Sequence, residues 1–301
     1  MDYRTGFAAL IGKPNVGKST LVNALVGQKV AIVSNKPQTT RRRLLGIHTR
    51  DDAQIIYVDT PGIHEPHTRL GRTMVESARG AISEVDVLLF VVDGSMPPSD
   101  DDRHIAATLR SRLDAEFREK QSIVVLNKMD KLPPEFVLAH IDAYTRLIET
   151  ASYMLTTATK NHNLTTLEDM IVERLPIRPA IFPEDEFTDQ SARFLSAELV
   201  REKILQRSRQ EIPHATAVVV DSWDESESEV RITASIIVER ESQKAIVIGK
   251  GGAFLRDIGK DARQEIQELL GKPTHLGLFV KVKEGWRMNP RLLHEWNYQD
   301  S

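Results

Sequence analysis

The 301 residues contain no cysteine. Disulfides, thiolate metal sites and cysteine nucleophiles are therefore excluded, and a reducing compartment is suited. Long apolar runs are also missing. The longest, Val87 to Val92, falls far short of the ~20 residues that a membrane helix needs. The stretch from Met1 to Gly12 lacks the basic start, apolar run and cleavage site of a secretion signal. The nine histidines form no metal-binding motif, and His48, His64 and His67 read as surface loop residues. No excess of one charge exists either: 40 basic residues stand against 43 acidic ones, a net −3, so nucleic-acid contact needs a local patch. What is present is ordinary globular chemistry, 41% apolar and 28% charged, in a chain long enough for two domains. The expectation is a soluble, cytoplasmic, two-domain protein.

Through residue 175, short apolar runs alternate with longer amphipathic stretches. The runs Phe7–Ile11, Ile55–Val58, Val87–Val92, Ile123–Leu126 and Tyr153–Thr156 are rich in Val, Ile and Leu. They alternate little, as parallel strands buried on both faces do. Helix-length segments such as Lys18–Val26, stopped by Gly27, and Asp100–Arg112 lie between them. This repetition predicts a doubly wound, mostly parallel α/β sheet with ligands at the carboxyl ends of its strands. Prolines at 176, 179 and 183, followed by Glu184-Asp-Glu186, read as an extended connector. The expected division is 1–175, a linker 176–187, and a second domain 188–301.

Three motifs in the first half carry chemistry. Gly12, Lys13, Pro14, Asn15, Val16, Gly17, Lys18 and Ser19 fit G-x-x-x-x-G-K-S/T between a strand and a helix, with Thr20 next in that helix. Such a loop curls so that its N–H groups and the helix dipole face phosphate oxygens. Lys18 would reach the β- and γ-phosphates, and Ser19 would ligate Mg²⁺. Asp59, Thr60, Pro61 and Gly62 follow the second strand; Asp59 suits a magnesium-bound water and the Gly62 N–H suits the γ-phosphate. Asn127, Lys128, Met129 and Asp130 follow another strand. The Asp130 carboxylate can accept both N1–H and the 2-amino group of guanine, whereas adenine would leave it unpaired.

In this order and spacing the motifs resemble the translation-factor-related GTPases, and Pro37-Gln-Thr-Thr-Arg41 resembles the first switch of the Era and TrmE branch. The resemblance implies that Thr40 binds Mg²⁺ in the GTP state. It also implies that Asn15 holds a potassium ion against the phosphates. Ile63 stands where many small GTPases carry a water-positioning glutamine, as is typical of the branch. Lys18, Thr40, Gly62 and Asn15 are thus the expected catalytic set, with slow basal hydrolysis. The last guanine motif departs from the usual Ser-Ala-Lys: Thr157-Ala158-Thr-Lys160 precedes Asn161. Thr157 keeps a hydroxyl, the Ala158 N–H can meet guanine O6, and Asn161 can adopt the left-handed conformation of glycine. The basic run Arg41–Arg43 fits either an effector or RNA contact, or a solvated cluster.

The second half reads α-β-β-α-α-β. Thr188 to Gln210 is helical, Ala215–Val220 and the alternating Val230–Val238 are strands, and Gln243–Ile248 leads to Gly249, Lys250, Gly251 and Gly252. A helical stripe from Phe254 to Leu270 and an alternating strand, Leu276 to Val282, follow. A bare Gly-x-x-Gly turn lets an RNA backbone lie against it, with Lys250, Arg256 and a helix N-terminus facing phosphate. Val247-Ile-Gly-Lys-Gly-Gly252 in this element order resembles a type II KH domain. Between Arg240 and Arg287, ten basic residues against six acidic ones make the segment net positive within a negative chain. Trp286 fits either a base-stacking ring or a packed core tryptophan.

Taken together, the halves resemble the bacterial ribosome-assembly GTPases of the Era branch over nearly the whole chain. That resemblance implies a GTP-hydrolysing switch using GTP, GDP and Mg²⁺. It also implies binding of the 3′ region of small-subunit (16S) ribosomal RNA during 30S maturation, a monomeric state, and peripheral association with the inner face of the cell membrane. A phosphoryl-transfer kinase would need an acceptor-site base, and no candidate stands out.

Overall fold

Each apolar run of the first half becomes a strand of one sheet. The computed structural model describes residues 2–63, 68–82, 85–150, 152–208, 212–296 and 298. β1 (Arg4–Ile11) enters the phosphate loop and α1 (Lys18–Val26). There follow β2 (Leu44–Thr49), β3 (Ala53–Asp59), α2 (Arg69–Ala81), β4 (Val87–Asp93), α3 (Asp100–Arg112) and α4 (Ala115–Gln121). β5 (Ser122–Asn127), α5 (Val137–Ile148), β6 (Tyr153–Leu155) and α6 (Leu164–Val172) complete the set. The strand order is β2-β3-β1-β4-β5-β6, parallel except for β2, which pairs antiparallel with β3. Because β1 lies between β3 and β4, the chain reverses its direction of winding there. The crevice beyond the carboxyl end of β1 is thus the switch point where such sheets bind ligands.

Successive residues of the central strands face opposite cores. Leu10, Leu89, Val91 and Val125 pack with α1 and α6, while Ile11, Phe90, Val92 and Leu126 pack with α3 and α5. This explains the unbroken apolar runs: both faces of the sheet are covered. The antiparallel β2 did not stand out in the sequence because Gly46 interrupts it. A Cβ there would stand 2.8 Å from Val22 and 2.9 Å from Val26, so the strand sacrifices a side chain to approach α1. His48, expected in a surface loop, lies half-buried on β2 with its Nε2 3.6 Å from Glu168 Oε1. His64 and His67 lie outside the described residues.

Contacts divide the chain into two compact units: Met1–Ala31 with Thr40–His67 and Gly71–Asp189, and Ile32–Thr39 with Thr68–Leu70 and Gln190–Ser301. The stretch 176–187, read as a connector, follows the first unit's sheet. Thr5 N–H donates to Pro176 O (3.1 Å), Gln54 Oε1 accepts from the N–H groups of Ile181 and Phe182 (2.8 and 2.9 Å), and Ile47 N–H donates to Phe187 O (2.9 Å). Its prolines leave carbonyls and selected N–H groups for pairing along a sheet margin.

The second unit contains α7 (Ala192–Arg207), α8 (Ile212–Ala215), β7 (Ala217–Glu225), β8 (Val230–Val238), α9 (Glu241–Ile248), α10 (Ala253–Leu270), β9 (Thr274–Val282) and α11 (Pro290–Glu295). The sheet order is β7-β8-β9, antiparallel then parallel. Val230, Ile232, Ala234, Ile236 and Val238 share a core with Leu199, Val200 and Ile204 of α7 and Ile258, Ala262 and Ile266 of α10. Among the described residues, no helix is long and apolar enough to cross a membrane.

Trp286 belongs to this core. It is fully buried, its Nε1–H donates to Ala215 O at 3.0 Å, and its ring lies 5.6 Å from that of Trp296. The base-stacking alternative is thereby removed. Replacing it with Ala should cost about 3–5 kcal/mol of stability, and with Phe about 1–2 kcal/mol, as the Ala215 carbonyl loses its donor. Urea unfolding followed by the fluorescence of Trp223 and Trp296 reads this; an unshifted midpoint in Trp286→Ala would contradict the packing.

Candidate functional site

The phosphate loop fills the crevice beyond β1 and is crowded on both sides. A Cβ on Gly12 would stand 2.1 Å from Val91 O, and one on Gly17, where φ is +101°, would stand 2.4 Å from Asn127 Nδ2. Glycine is demanded at both positions by the approach of β4 and of the loop after β5. Between them Val16 turns into the core, and Asn15 bends the chain with φ 65°. Lys13 reaches α3, and Thr20 sits half-buried in the first turn of α1.

Lys18 is buried, and its Nζ donates to Gly12 O (2.9 Å) and Lys13 O (3.0 Å). Burial lowers its pKa to about 8 against the opposing pull of Asp59. Nearby, three oxygens converge. Ser19 Oγ lies 2.7 Å from Asp59 Oδ2 and 2.8 Å from Thr40 Oγ1, and Thr40 Oγ1 lies 3.3 Å from the same carboxylate oxygen. Asp59 is fully buried, and its Oδ1 has no hydrogen-bond partner among the described residues. Burial raises its pKa against the hydrogen bond from Ser19 and the charge of Lys18. Hard oxygens around a buried carboxylate that burial penalises more than its partners repay fit a divalent cation, and an ammonium held, among the described residues, by two carbonyls fits an anionic phosphate beside it.

Asp59 leads into Thr60, whose hydroxyl donates to Leu10 O at 2.7 Å, and then into the buried Pro61 and Gly62. Gly62 presses on the phosphate loop: a Cβ would meet the nitrogen of Pro14 at 2.6 Å and its Cα at 2.8 Å. Ile63 is turned into the apolar core with Val58 and Ile82, so its side chain organises no water. Arg41 is 2% exposed, so the Arg41–Arg43 run is not the uniformly solvated cluster it could have been.

At the base end, Asn127 is the tie. Its Nδ2 donates to Val16 O (2.9 Å), and its Oδ1 accepts from Ala158 N–H (3.1 Å) and Thr156 Oγ1 (3.3 Å). The Ala158 N–H, expected to face guanine O6, here points at Asn127. Lys128 crosses to the phosphate loop, donating to Asn15 O (2.6 Å) and Asp93 Oδ2 (2.8 Å). Asp130 lies 3.2 Å from Lys160 Nζ, and Met129 packs beside the core. Thr157 is buried, and Asn161 takes φ 53°, the left-handed conformation expected of it. Asp93 was overlooked, although a carboxylate closing an apolar strand was a readable signal. So were Ser99 and Asp102, spaced as a helix capping box.

In the second unit, Gly249, Gly251 and Gly252 have φ of 75°, 59° and 75°. Gly249 also leaves no room for a Cβ, with Phe254 Cβ 2.6 Å away, whereas the space over Gly251 and Gly252 is open. The turn, carrying exposed Lys250, opens into a groove of about 840 Å³ between α10 and the strands β8 and β9. Arg256, Lys260 and Arg263 line one wall at successive helical turns, and Arg231 and His275 line the other. Gly259 and Gly277 face this groove without side chains, which is why a glycine persists inside a helix at a cost of about 1 kcal/mol.

Asn127→Ala would strand the Val16 carbonyl and the Ala158 N–H inside the first unit. A loss of about 2–4 kcal/mol is expected in chemical denaturation of the purified chain. A change below 1 kcal/mol would mean that solvent replaces these bonds.

A family model for a 50S ribosome-binding GTPase matches residues 7–128, and one for a KH domain matches residues 211–287. The chain is 43% identical to GTPase Era of Heliobacterium modesticaldum (strain ATCC 51547 / Ice1) over 298 residues, 99% of this chain and 98% of that protein. Its structure superimposes on Era in complex with MgGDPNP and nucleotides 1506–1542 of 16S ribosomal RNA with a TM-score of 0.93 at 41% identity, covering 99% of this chain and 100% of that one. An Aquifex aeolicus Era variant bound to GDP·AlF4⁻ gives 0.92 at 40% identity with the same coverage. Such identity runs through both units and is not confined to the widespread nucleotide-binding half, so the chain belongs to the Era family of GTPases.

Proposed function

We propose that this chain hydrolyses GTP as a switch controlling its hold on the 3′ region of small-subunit ribosomal RNA during 30S assembly, in the cytoplasm. The observation that carries the reading is the convergence of Ser19, Thr40 and Asp59 oxygens beside the buried Lys18, in a chain that resembles an RNA-bound Era from end to end. Membrane association and a monomeric state are kept from the resemblance alone.

In this reading Lys18 would exchange its two carbonyl partners for oxygens of the β- and γ-phosphates, and the loop N–H groups of residues 15–19 would bind the rest. Ser19, Thr40 and Asp59, whose oxygens converge, would hold magnesium. The ion supplies neutralisation of the charge on the leaving phosphate oxygens. The N–H of Gly62 binds the γ-phosphate, and its lack of a side chain allows the approach to Pro14. Asp130 and the tie at Asn127 select guanine. Ile63 activates no water, so the chain's own turnover is slow. Asn15, at a bend of the loop, would hold the potassium ion that the resemblance implies, which would add positive charge at the phosphates. Loss of the γ-phosphate releases Thr40 and Gly62, the two residues whose placement depends on it. On the RNA side, the open turn at Gly251 meets the RNA backbone, and Lys250 and Arg256 meet its phosphates.

Asp130→Asn removes the paired acceptor for guanine. GTP affinity should fall by about 3–5 kcal/mol, for two charge-assisted hydrogen bonds, while xanthosine triphosphate gains. Competition against a fluorescent nucleotide measures both, and unchanged relative affinities would refute the role of Asp130.

Gly251→Asp places a carboxylate in the open space over the turn, at a φ that Asp tolerates better than most residues. RNA affinity should drop at least tenfold, about 1.4 kcal/mol, with GTP affinity unchanged. Lys250→Ala should do less, by an amount that shrinks as salt rises. Titrating small-subunit RNA and GTP on the same preparation decides it: parent-like RNA binding by Gly251→Asp defeats the RNA assignment.

A further inference from the structure

A carboxylate outside every nucleotide motif anchors the second residue of the phosphate loop. Lys13 Nζ lies 2.7 Å from Asp102 Oδ2 and 2.9 Å from Ser99 Oγ. Both partners belong to the start of α3, where Ser99 caps the helix and Asp102 closes a capping box. Asp102 Oδ2 also accepts from Ser99 N–H (2.9 Å) and Ser99 Oγ (2.6 Å). The box itself needs only a hydrogen-bond acceptor at residue 102, which a neutral amide provides. A full negative charge there is wholly buried, and its second oxygen, Oδ1, has no partner among the described residues. Such a charge is unfavourable unless a cation meets it, and Lys13 is the cation that does.

What Lys13 holds in turn makes the pair matter. Its carbonyl is one of the two oxygens that fix the Lys18 ammonium; the other is that of the preceding residue, Gly12. The next residue, Pro14, stands against Gly62. A main-chain shift at Lys13 therefore moves an anchor of Lys18 and the wall behind Gly62 together.

We propose that Asp102 is a positioning residue for phosphoryl transfer: through the Lys13 ion pair it clamps the limb Gly12–Pro14 and so sets the place of the Lys18 ammonium. This rests on the nucleotide-site reading. The ion pair is asymmetric. Lys13 is 19% exposed and turns to water once the charge on Asp102 is gone, whereas Asp102 is enclosed and cannot follow a withdrawn Lys13.

The experiment uses the full chain with Asp102→Asn, Lys13→Gln, the double variant, Lys13→Arg and Lys18→Ala. Asp102→Asn keeps an acceptor for Ser99, so its melting temperature should stay close to that of the parent. Its affinity for a fluorescent GDP should fall five- to tenfold, and kcat should fall with it. In the nucleotide-free protein, amide hydrogen exchange of a peptide spanning residues 12–19 should quicken. The double variant should lose no more than the worse single variant, and Lys13→Arg, which keeps a cation for Asp102, should lose less than Lys13→Gln. Additive losses in the double variant would overturn the proposal. So would Asp102→Asn melting early while binding and exchange stay unchanged, the signature of a helix cap alone. Lys18→Ala separates the two readings. If it loses nucleotide, the site stands whatever Asp102→Asn does; if it binds like the parent, the site reading fails and this inference with it.

Discussion

The nucleotide-binding unit depends on how closely one stretch of bare backbone can approach its neighbours. Residues 12–17 pass within a methyl group's reach of β4, of the Asn127 side chain and of the loop at Gly62. At these contacts main-chain carbonyls are taken by side chains from other elements: Val16 O by Asn127, Asn15 O by Lys128, and Gly12 O and Lys13 O by Lys18. These bonds fasten the carbonyls of four successive loop residues, 12, 13, 15 and 16 with only Pro14 between them, to side chains. The path of the loop is therefore set by how β4, β5 and α3 abut it as much as by its own residues.

Buried charge follows the same logic. Lys128 serves Asp93 and the phosphate loop at once. Burial pushes the Asp93 carboxyl up, but the Lys128 ammonium and the Ser95 hydroxyl outweigh it and hold the carboxyl below its ordinary value. Asp59 is the contrasting case, its pKa raised because burial exceeds what Ser19 and Lys18 give back. A buried carboxylate whose charge is only partly met by two hydroxyls and an ammonium is costly for folding. The two aspartates close parallel strands at the same end of one sheet. They differ in whether the chain's own partners outweigh the burial.

How much could be read from the sequence follows from which forces act locally. Strands buried on both faces declare themselves by continuous Val, Ile and Leu, and α1 and α3 carry their own stops and caps, so the sheet and its helices were legible. The three nucleotide motifs were legible because each is a short segment with one geometric task. β2 was not, because the approach of Gly46 to α1 is a tertiary demand that breaks the local pattern. The path of residues 176–187 along the sheet was hidden for a similar reason: prolines mark an extended backbone but not what it pairs with. Trp286 stayed open between two roles because burial is decided by Trp296 and α8. Asp93 and Asp102 escaped notice because their partners lie thirty-five and eighty-nine residues away in sequence.

The two units also carry their cations in opposite ways. In the first, few charges are used, and they are buried, where the effective dielectric constant is low and salt screens little. Lys18 does its work inside the protein, next to fixed dipoles. In the second, the cations of α10 stand exposed at successive turns, and each is weak and screened. Gly259 and Gly277 leave a side-chain-free floor beside them. A compact triphosphate can be enclosed by a few preorganised groups, whereas a polymer carries its charge along a line and must be met along a line. The glycines divide accordingly. Gly12, Gly17 and Gly62 admit protein atoms that would otherwise collide, while the space over Gly251 and Gly252 is open. The same residue type thus builds an enclosed site in one unit and an open one in the other, and the surrounding packing decides which.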